Sequence, residues 1–302
     1  MGRVAGQHSG LGPPQMRTRF APSTTGQLHL GHAFSALCAY RMAKNNAGTF
    51  LLRIEDIDQS RARPEWEAQI YADLQWLGLD WPHPVLRQSS NMGAYQAALD
   101  HLWQRGLVYP CHCTRRDIQA ALTAPQEGDG APQMGPDGPI YPGTCRSAPR
   151  PATWPADAAL RLDMRAAMAL LPQGVQFCET GSGAPEWHMM NAQQAVENIG
   201  DIVLSRRDMG TSYHLSVVVD DAAQAITHVT RGHDLFDATF VHVILQHLLG
   251  LSQPIYHHHR LIRDDAGKRL AKRDDARAIA RYRDEGLTPA DICALVGLQP
   301  RP

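Results

Sequence analysis

The sequence contains no run of apolar residues close to the roughly 18 to 20 that a membrane-spanning helix needs. Its first sixteen residues also lack the continuous apolar stretch of a secretory signal peptide. No segment of the chain repeats another. These absences argue against a transmembrane or repeat protein, and they favour a cytoplasmic protein without a membrane partner.

A charge excess and a disulfide framework are missing as well. The 29 basic and 30 acidic residues give a net charge of -1, so the totals require neither a nucleic acid nor an anionic surface as partner. A local basic face would still allow RNA binding. The six cysteines are too few and too unevenly spread for a disulfide-stabilised fold in 302 residues. With 43% hydrophobic residues, the composition is that of a soluble globular protein.

Strand and helix patterns alternate through the first third of the chain. A short strand candidate at 17–21 leads through a Pro/Ser/Thr/Gly loop into a helix that ends near 45–48, and a buried strand follows at 49–55. Two further helices are predicted at 64–77 and 95–105, the first beginning with a proline. This order predicts a parallel α/β sheet with ligands at the carboxyl ends of its strands.

The pattern then weakens and later resumes, which predicts an interrupted domain. Proline and glycine are frequent from 124 to 143, as in an inserted subdomain, and regular patterns return after about residue 200. The predicted segments are a disordered leader (1–16), the first half of the α/β domain (17–110), an insert (111–200), the second half (201–253) and a C-terminal segment (254–302).

The loop-to-helix stretch RFAPSTTGQLHLGH places His29 and His32 three residues apart in the first turn of a helix. Residues at that spacing share a face, beside unpaired backbone N–H groups and the positive end of the helix dipole. Gly31 lacks the Cβ that would keep a flat ring or a phosphate away from the backbone. The stretch therefore indicates a phosphate site. Two surface histidines are the simpler alternative, and metal binding is disfavoured because no third ligand lies nearby in sequence.

Three cysteines, Cys111, Cys113 and Cys145, flank the Pro/Gly-rich loop of the predicted insert. Three thiolates supply most of a structural zinc site, and a small insert with little core gains folding energy from a metal. Buried structural cysteines are the alternative. Typical ligand sets suggest His112 as the fourth ligand. The histidine run at 257–259 is instead predicted to lie in a strand with alternating faces, without a ligand role.

Four blocks of the sequence resemble the class I aminoacyl-tRNA synthetases, and specifically the glutamyl-tRNA synthetase family. The stretch RFAPSTTGQLHLGH resembles the HIGH signature region of that class. It is followed, in the family order, by LLRIEDIDQSR (51–61), DIVLSRRDMGTSYHLSVVVDD (201–221) and ITHVTRGHDL (226–235). The resemblance covers roughly residues 17–275. It implies a Rossmann-like, doubly wound parallel sheet that forms the catalytic domain, with a zinc-containing inserted subdomain.

The resemblance implies an adenylation reaction, in which the α-carboxylate of glutamate attacks the α-phosphate of ATP and pyrophosphate leaves. His29 and His32 would contact the ATP phosphates, and Gly31 would lie beside the nucleoside. Mg²⁺ is implied by the use of ATP. The protein would mainly position the reacting groups and stabilise the developing charge.

The second signature of the class, the KMSKS loop, is resembled by the run Arg269-Leu270-Ala271-Lys272-Arg273. Lys272 would stabilise the departing pyrophosphate, and Arg269 would keep a positive charge in the place of the first lysine. Ala271 replaces the serine, so one hydroxyl contact is lost. A solvated charged loop is the alternative for this run taken by itself.

The family resemblance also implies the amino-acid pocket. Arg19 and Arg231 occupy the positions whose guanidinium groups bind the two carboxylates of glutamate. Ser23, Glu55 and Tyr213 match the rest of the pocket, with Glu55 able to hold the α-ammonium group. The simpler alternatives are an edge-strand charge for Arg19, a helix-cap acid for Glu55 and a core aromatic residue for Tyr213.

The cysteine cluster of this chain resembles the one found in a short subgroup of the family. Its members carry Cys-x-Cys followed by Tyr-x-x-x-Cys, with the tyrosine oxygen as the fourth ligand of a single structural Zn²⁺. The matching residues are Cys111, Cys113, Tyr141 and Cys145. The resemblance thus implies Tyr141 where typical ligand sets suggest His112.

Members of that subgroup transfer glutamate to queuosine in the anticodon loop of tRNA(Asp). The chain shares their valine at position 217, and the roughly thirty residues after Lys272 leave no room for the anticodon-binding domain of full-length glutamyl enzymes. The implied partners are glutamate, ATP and queuosine-containing tRNA(Asp), with a monomer as the expected form. The alternatives are a truncated or discriminating glutamyl-tRNA synthetase that charges an acceptor end, and a catalytically silent zinc-containing RNA-binding paralogue.

Overall fold

The structure of the chain, a computed structural model, describes residues 15–123, 132–263 and 277–299. The strands in these ranges are β1 (Arg17–Phe20), β2 (Thr49–Ile54), β3 (Leu86–Arg87), β4 (Val108–Cys111), β5 (Met134–Gly135), β6 (Gly138–Pro139), β7 (Ala159–Leu162), β8 (Val175–Glu179), β9 (Glu186–Met190), β10 (Val203–Ser205), β11 (His228–Gly232) and β12 (Ile255–His259). The α-helices are α1 (Leu30–Asn45), α2 (Pro64–Trp76), α3 (Met92–Gln104), α4 (Arg115–Thr123), α5 (Met164–Ala169), α6 (Ala192–Asn198), α7 (Tyr213–Ala223), α8 (Ala238–Leu249), α9 (Ile279–Asp284) and α10 (Pro289–Leu295). None of these helices is both long enough and apolar enough to cross a membrane.

Two groups of parallel strands form the centre of the protein. One has the order β1-β2-β3, and the other has the order β11-β12-β8 with β9 antiparallel at its edge. The amide N–H of Thr227 donates to the carbonyl of Arg17 over 3.0 Å, which sets β11 beside β1. The order in which the chain adds strands therefore reverses between β1 and β11. Such a reversal is the point at which doubly wound sheets bind their ligands.

The first strand, loop and helix form where the sequence predicts them. α1 buries Leu30, Phe34 and Leu37, whose spacing places them on one helical face. It ends at Asn45, and β2 then runs parallel to β1 with Arg19 opposite Leu51. The predicted helices at 64–77 and 95–105 are confirmed as α2 and α3, with bounds that differ by at most three residues.

The range predicted as an insert contributes strands to more than one sheet. β4, β7 and β10 form an antiparallel sheet in the order β10-β7-β4, and β5 and β6 form a two-stranded hairpin. β8 and β9 also lie in that range, but they extend the sheet of β12, where Tyr256 pairs with Glu179. This pairing crosses the predicted boundary at residue 200. It brings the end of β8 to the same edge of the sheet as the ends of β11 and β12.

A buried ion cluster joins the two halves of the parallel sheet. Arg53 of β2 is fully buried and donates to Asp221 of α7 over 2.6 Å and to Glu55 over 3.2 Å. Arg19 of β1 donates from Nε to the same Asp221 over 3.0 Å. Burial tends to raise the pKa of Asp221, but Arg19 and Arg53 more than offset this and hold it below its ordinary value. The cluster fixes α7 against both β1 and β2.

Replacing Arg53 with methionine should lower the free energy of unfolding by about 3–5 kcal/mol, because Asp221 then keeps only one of its two cations and the buried Glu55 loses its ion-pair partner. Urea denaturation at pH 7 measures this loss. Arg61→Met is the matched control: Arg61 pairs with Asp58 at the surface, with 71% of its side chain exposed. We expect the control to cost less than about 1 kcal/mol. Equal losses for the two variants would contradict a stabilising role of the buried cluster.

Candidate active site at the carboxyl ends of the parallel strands

The residues predicted to bind glutamate lie together where β1 meets β11. Arg19 lies near the end of β1 and Arg231 near the end of β11, and both are buried. Tyr213 is the first residue of α7, and the charges of Arg231, Glu55 and Arg19 all act on its hydroxyl group. Ser23 forms a short parallel bridge with Glu55 just beyond β1 and β2. The five residues thus share one edge of the sheet.

His29 and His32 form the N-terminus of α1. His29 is the N-cap residue, and its Nδ1 accepts from the amide N–H of Gly31 over 3.1 Å. Nδ1 of His32 accepts in turn from the amide N–H of His29 over 3.2 Å. Because both Nδ1 atoms accept, a neutral ring at either position carries its proton on Nε2. The ring centroids lie 3.8 Å apart, so the two imidazoles form a single cap with two Nε2–H donors.

Gly31 leaves the space that this cap requires. A Cβ built on Gly31 would lie 3.0 Å from Cε1 of His29 and 3.1 Å from its Nδ1. At those distances the side chain would press the imidazole ring out of its capping position. The glycine therefore makes room for the histidine ring itself, in addition to the room for a ligand that the sequence suggests.

Arg231 is a buried cation whose partners are neutral groups. Its Nε donates to Nε2 of His258 over 3.1 Å, and its Nη2 donates to the hydroxyl of Thr239 over 2.7 Å. Its Nη1 donates to Nδ1 of His242 over 3.0 Å. In the described part of the chain, no carboxylate lies within ion-pair distance of this guanidinium. An anion that enters the pocket would supply the missing countercharge.

Arg19 and Glu55 have a different electrostatic setting from Arg231. Arg19 is already paired with Asp221, through Nε at 3.0 Å and Nη2 at 3.3 Å, and it keeps further N–H groups for a ligand. Burial raises the pKa of Glu55, and the neighbouring Arg53 and Arg19 lower it only in part. A ligand ammonium group beside Glu55 would favour the charged carboxylate.

Sequence reasoning missed the groups that hold Arg231 in place. Nδ1 of His258 contacts a carboxylate oxygen of Glu179, and the amide N–H of His258 donates to the other oxygen over 2.9 Å. Burial tends to raise the pKa of Glu179, but the hydrogen bonds from His258 and Gly181 lower it to about 2. The strand predicted for 257–259 is confirmed as part of β12, yet nothing local in the sequence points to a partner 79 residues earlier.

The cysteine cluster forms beside the end of β4. The sulfur atoms of Cys111, Cys113 and Cys145 lie within 4.8 Å of one another, close enough to bind one metal ion. The hydroxyl of Tyr141 lies 3.4 Å from the sulfur atoms of Cys111 and Cys113, and it accepts from the amide N–H of Cys145 over 2.9 Å. The side chain of His112 is exposed and is not part of this group.

The thiol and phenol groups of this cluster differ in pKa. Burial raises the pKa of Cys113 to about 11, and it also raises the pKa of Tyr141. Burial acts in the same direction on Cys145, but hydrogen bonds from Tyr141 and from the backbone of His112 lower its pKa to about 7. A cation bound by these groups would have to displace the remaining protons.

The residues predicted to act in the KMSKS-like loop, Arg269 and Lys272, lie outside the described residues, as does Ala271. The chain that follows this range is described from residue 277 onward. There the amide N–H of Ile279 donates to the carbonyl of Leu28 over 2.8 Å, and Ala278 pairs with His29. The segment that follows the predicted loop thus contacts the chain that leads into α1, at Leu28 and His29.

Comparison with known protein families identifies the class of protein to which this chain belongs. The family model described as tRNA synthetases class I (E and Q), catalytic domain, matches residues 15–137 and 187–300. The match covers well over half of the chain, which therefore belongs to this family. The chain is an enzyme, a ligase of the aminoacyl-tRNA synthetase type, as the sequence motifs predict.

Within that class, curated relatives carry the name of the short subgroup. A protein of Rhodobacter capsulatus named glutamyl-Q tRNA(Asp) synthetase is 60% identical over 94% of this chain and 100% of its own length. A protein of Geobacter sulfurreducens with the same name is 38% identical over 90% of this chain and 80% of its own. The predicted resemblance to glutamyl-queuosine tRNA(Asp) synthetases is thus confirmed.

Solved structures agree with this family membership. A crystal structure of a glutamate tRNA ligase from Elizabethkingia meningosepticum, in complex with its amino acid, superimposes with a TM-score of 0.71 at 26% identity. The match covers 93% of this chain but only 60% of that enzyme's length. A methionyl-tRNA synthetase of Mycobacterium tuberculosis, 10% identical with a TM-score of 0.57, shares the fold alone.

The low pKa of Glu179 makes a prediction about acid stability. A carboxyl whose pKa falls on folding from 4.5 to about 2 stabilises the folded state by about 3 kcal/mol above pH 4.5. This contribution is lost as the pH falls from 4.5 towards 2. In Glu179→Gln, the free energy of unfolding should therefore change less with pH across this window than in the wild type. Parallel stability curves for the two proteins between pH 5 and pH 2 would contradict the assignment.

Proposed function

We propose that this chain activates L-glutamate with ATP in the absence of tRNA, and then transfers the glutamyl group to queuosine in the anticodon loop of tRNA(Asp). The observation that carries the amino-acid half is the buried guanidinium of Arg231, which has only neutral partners among the described residues and lies near Arg19. A dicarboxylate supplies an anion to each of two such cations. The name and 60% identity of the Rhodobacter relative support the RNA half.

In the first step, an oxygen of the glutamate α-carboxylate attacks the α-phosphorus of ATP. The bond between that phosphorus and the oxygen bridging to the β-phosphate breaks, and pyrophosphate leaves with the electron pair. Nε2–H groups of His29 and His32 would donate to phosphate oxygens, where the start of α1 adds its partial positive charge. Lys272 and Arg269 would stabilise the departing pyrophosphate, and Mg²⁺ would accompany the phosphates.

The same edge of the sheet would orient glutamate for this attack. Arg19 and Arg231 would bind its two carboxylates, and Glu55 would hold the α-ammonium group, which restores the charge that burial disfavours. Ser23 and Tyr213 would complete the pocket. Both substrates would thus meet at the point where β1, α1 and β11 come together.

In the second step, the acceptor nucleoside attacks the carbonyl carbon of glutamyl-adenylate, and AMP leaves. A cavity of about 790 Å³ adjoins the pocket, lined by Tyr213 and His214 on one side and by Cys113 and Tyr141 of the cysteine cluster on the other. Its size is in the range that holds a small organic ligand. We expect the acceptor nucleoside to approach the amino-acid pocket through this cavity.

Pyrophosphate exchange tests the first step. The purified chain should exchange labelled pyrophosphate into ATP when glutamate is present and tRNA is absent, because every group assigned to activation belongs to the protein. Absence of exchange, or exchange only with tRNA, would contradict the proposal.

Labelling with radioactive glutamate tests the second step, and only tRNA(Asp) that contains queuosine should be labelled. Equal labelling of both forms of tRNA(Asp), or labelling of tRNA(Glu) alone, would instead favour charging of an acceptor end.

We further propose that the cysteine cluster binds one structural zinc ion through Cys111, Cys113, Cys145 and the oxygen of Tyr141. Tetrahedral zinc with bonds of about 2.3 Å requires sulfur atoms about 3.8 Å apart, and those of Cys113 and Cys145 lie 3.5 Å apart. The guanidinium of Arg161 lies 3.9 Å from the centroid of the Tyr141 ring. The amide N–H of Cys145 lowers the pKa of Tyr141, but burial raises it more, so a bound zinc ion would itself have to displace the phenolic proton.

Cys145→Ser should lower the zinc content from about one ion per chain to well below that value, as measured by atomic emission after gel filtration. Cys178→Ser is the matched control and should keep its zinc, because Cys178 lies on β8, outside the metal cluster. Tyr141→Phe should weaken zinc binding, whereas His112→Ala should not. Unchanged zinc content in Cys145→Ser would refute the ligand set, and the reverse order of the last two variants would favour His112.

A further inference from the structure

Arg231 lies at one end of an uninterrupted row of hydrogen-bonded side chains. Nη1 of Arg231 and Nδ1 of His242 are 3.0 Å apart, and Nε2 of His242 lies 3.0 Å from Nδ1 of His214. Nε2 of His214 lies 2.8 Å from a carboxylate oxygen of Asp137. Both histidines are buried, and Asp137 lies in the two-residue turn between β5 and β6.

The direction of every hydrogen bond in this row follows from the arginine. A guanidinium has donors and no acceptor, so Nδ1 of His242 must accept, and the neutral ring carries its proton on Nε2. That proton is donated to Nδ1 of His214, whose own proton then lies on Nε2. The carboxylate of Asp137 accepts this last proton. One tautomer of each ring satisfies all three bonds, and Asp137 selects it from the far end.

The other side of Arg231 is built on the same pattern. Nε of Arg231 donates to Nε2 of His258, so the proton of that ring lies on Nδ1, where the carboxylate of Glu179 accepts it. Two acidic residues, Glu179 in a strand and Asp137 in a turn, thus determine the tautomers of the histidine rings that hold the guanidinium of Arg231. His242 is kept neutral by its burial and by the charge of Arg231, which lower its pKa well below the ordinary value.

We propose that Asp137, His214 and His242 are positioning residues for glutamate binding, because together they hold the guanidinium of Arg231 in the orientation that receives a substrate carboxylate. This inference rests on the proposed function, since it takes Arg231 as a ligand of glutamate. None of the three residues needs to touch the substrate. Their effect is on the affinity for glutamate and not on the binding of ATP.

Pairs of variants separate the hydrogen bond from the bulk of the side chain. Asparagine at position 242 places an acceptor near the position of the histidine Nδ1, whereas leucine places none. His242→Leu should raise the KM for glutamate in tRNA-free pyrophosphate exchange by about tenfold or more, the effect of a lost hydrogen bond to a charged group. The KM for ATP should stay unchanged, and His242→Asn should restore the KM for glutamate to within a few-fold of the wild type.

The outer end of the row is tested in the same way. Asp137→Ala should raise the KM for glutamate by about two- to tenfold, because His214 loses the acceptor that selects its tautomer. Asp137→Asn keeps an oxygen that accepts the same hydrogen bond, and it should behave like the wild type. With 52% of its side chain exposed, Asp137 can be replaced with little effect on the core. His247→Asn, an exposed histidine of the same helix as His242, is the control and should change nothing.

The outcomes distinguish this inference from the proposed function. If the wild type shows no tRNA-free exchange, the proposed activity fails, and calorimetric titration of the same variants with glutamate then tests the positioning role directly. If the wild type exchanges pyrophosphate but leucine and asparagine at position 242 raise the KM equally, the acceptor role is wrong. A lower kcat with an unchanged KM for glutamate would overturn it as well. Should His242→Leu fail to fold, as judged by its thermal unfolding midpoint, His214→Leu and His214→Asn provide the same contrast one bond further out.

Discussion

One carboxylate, that of Asp221, is shared by two arginines from adjacent parallel strands, and the arrangement of the candidate site depends on it. Arg19 and Arg53 reach it from β1 and β2, whereas Asp221 itself belongs to a helix of the second half of the chain. The groups are desolvated, so each of the three charges depends on the others. The contact fixes the C-terminal part of α7 against β1 and β2, and the helix in turn carries Tyr213 as its first residue. The two halves of the site therefore keep a constant spacing.

The two arginines of the candidate pocket differ in how their charges are balanced, and this difference determines which of them attracts an anionic ligand more strongly. Arg19 is neutralised within the protein, whereas the partners of Arg231 among the described residues are neutral rings and a hydroxyl group. An anionic ligand therefore gains most at Arg231, while Arg19 serves as a second, weaker attraction. The substrate would thus be recognised by a charge that the fold leaves without a countercharge among the described residues. A neutral amino acid of similar size would leave that cation unpaired.

The sequence was most informative where structure and chemistry are local. The strand, loop and helix that carry His29 and His32 are encoded by neighbouring residues, so turn formers, helix spacing and the family signature all indicate the same result. The contacts of Glu179 and His242 were not predictable in this way. Each is a polar residue in an apolar element, and its partner lies in a strand or helix that becomes a neighbour only when the sheet has formed. These contacts could not be predicted because they join separate elements of the fold, although the interacting groups themselves are strongly polar. The strand β8 was missed as part of the parallel sheet for the same reason, since its pairing with β12 joins distant segments.

The cap of α1 by His29 has a consequence for how this site can change in evolution. The imidazole that closes the first turn of the helix is the same group that faces the proposed phosphate site, and the adjacent glycine is shaped around it. A substitution of His29 that removed its proposed phosphate contact would also weaken the start of the helix, and one that strengthened the helix by a serine or aspartate cap would remove the imidazole. If His29 binds phosphate as proposed, selection for a stable fold and selection for catalysis act on the same atoms.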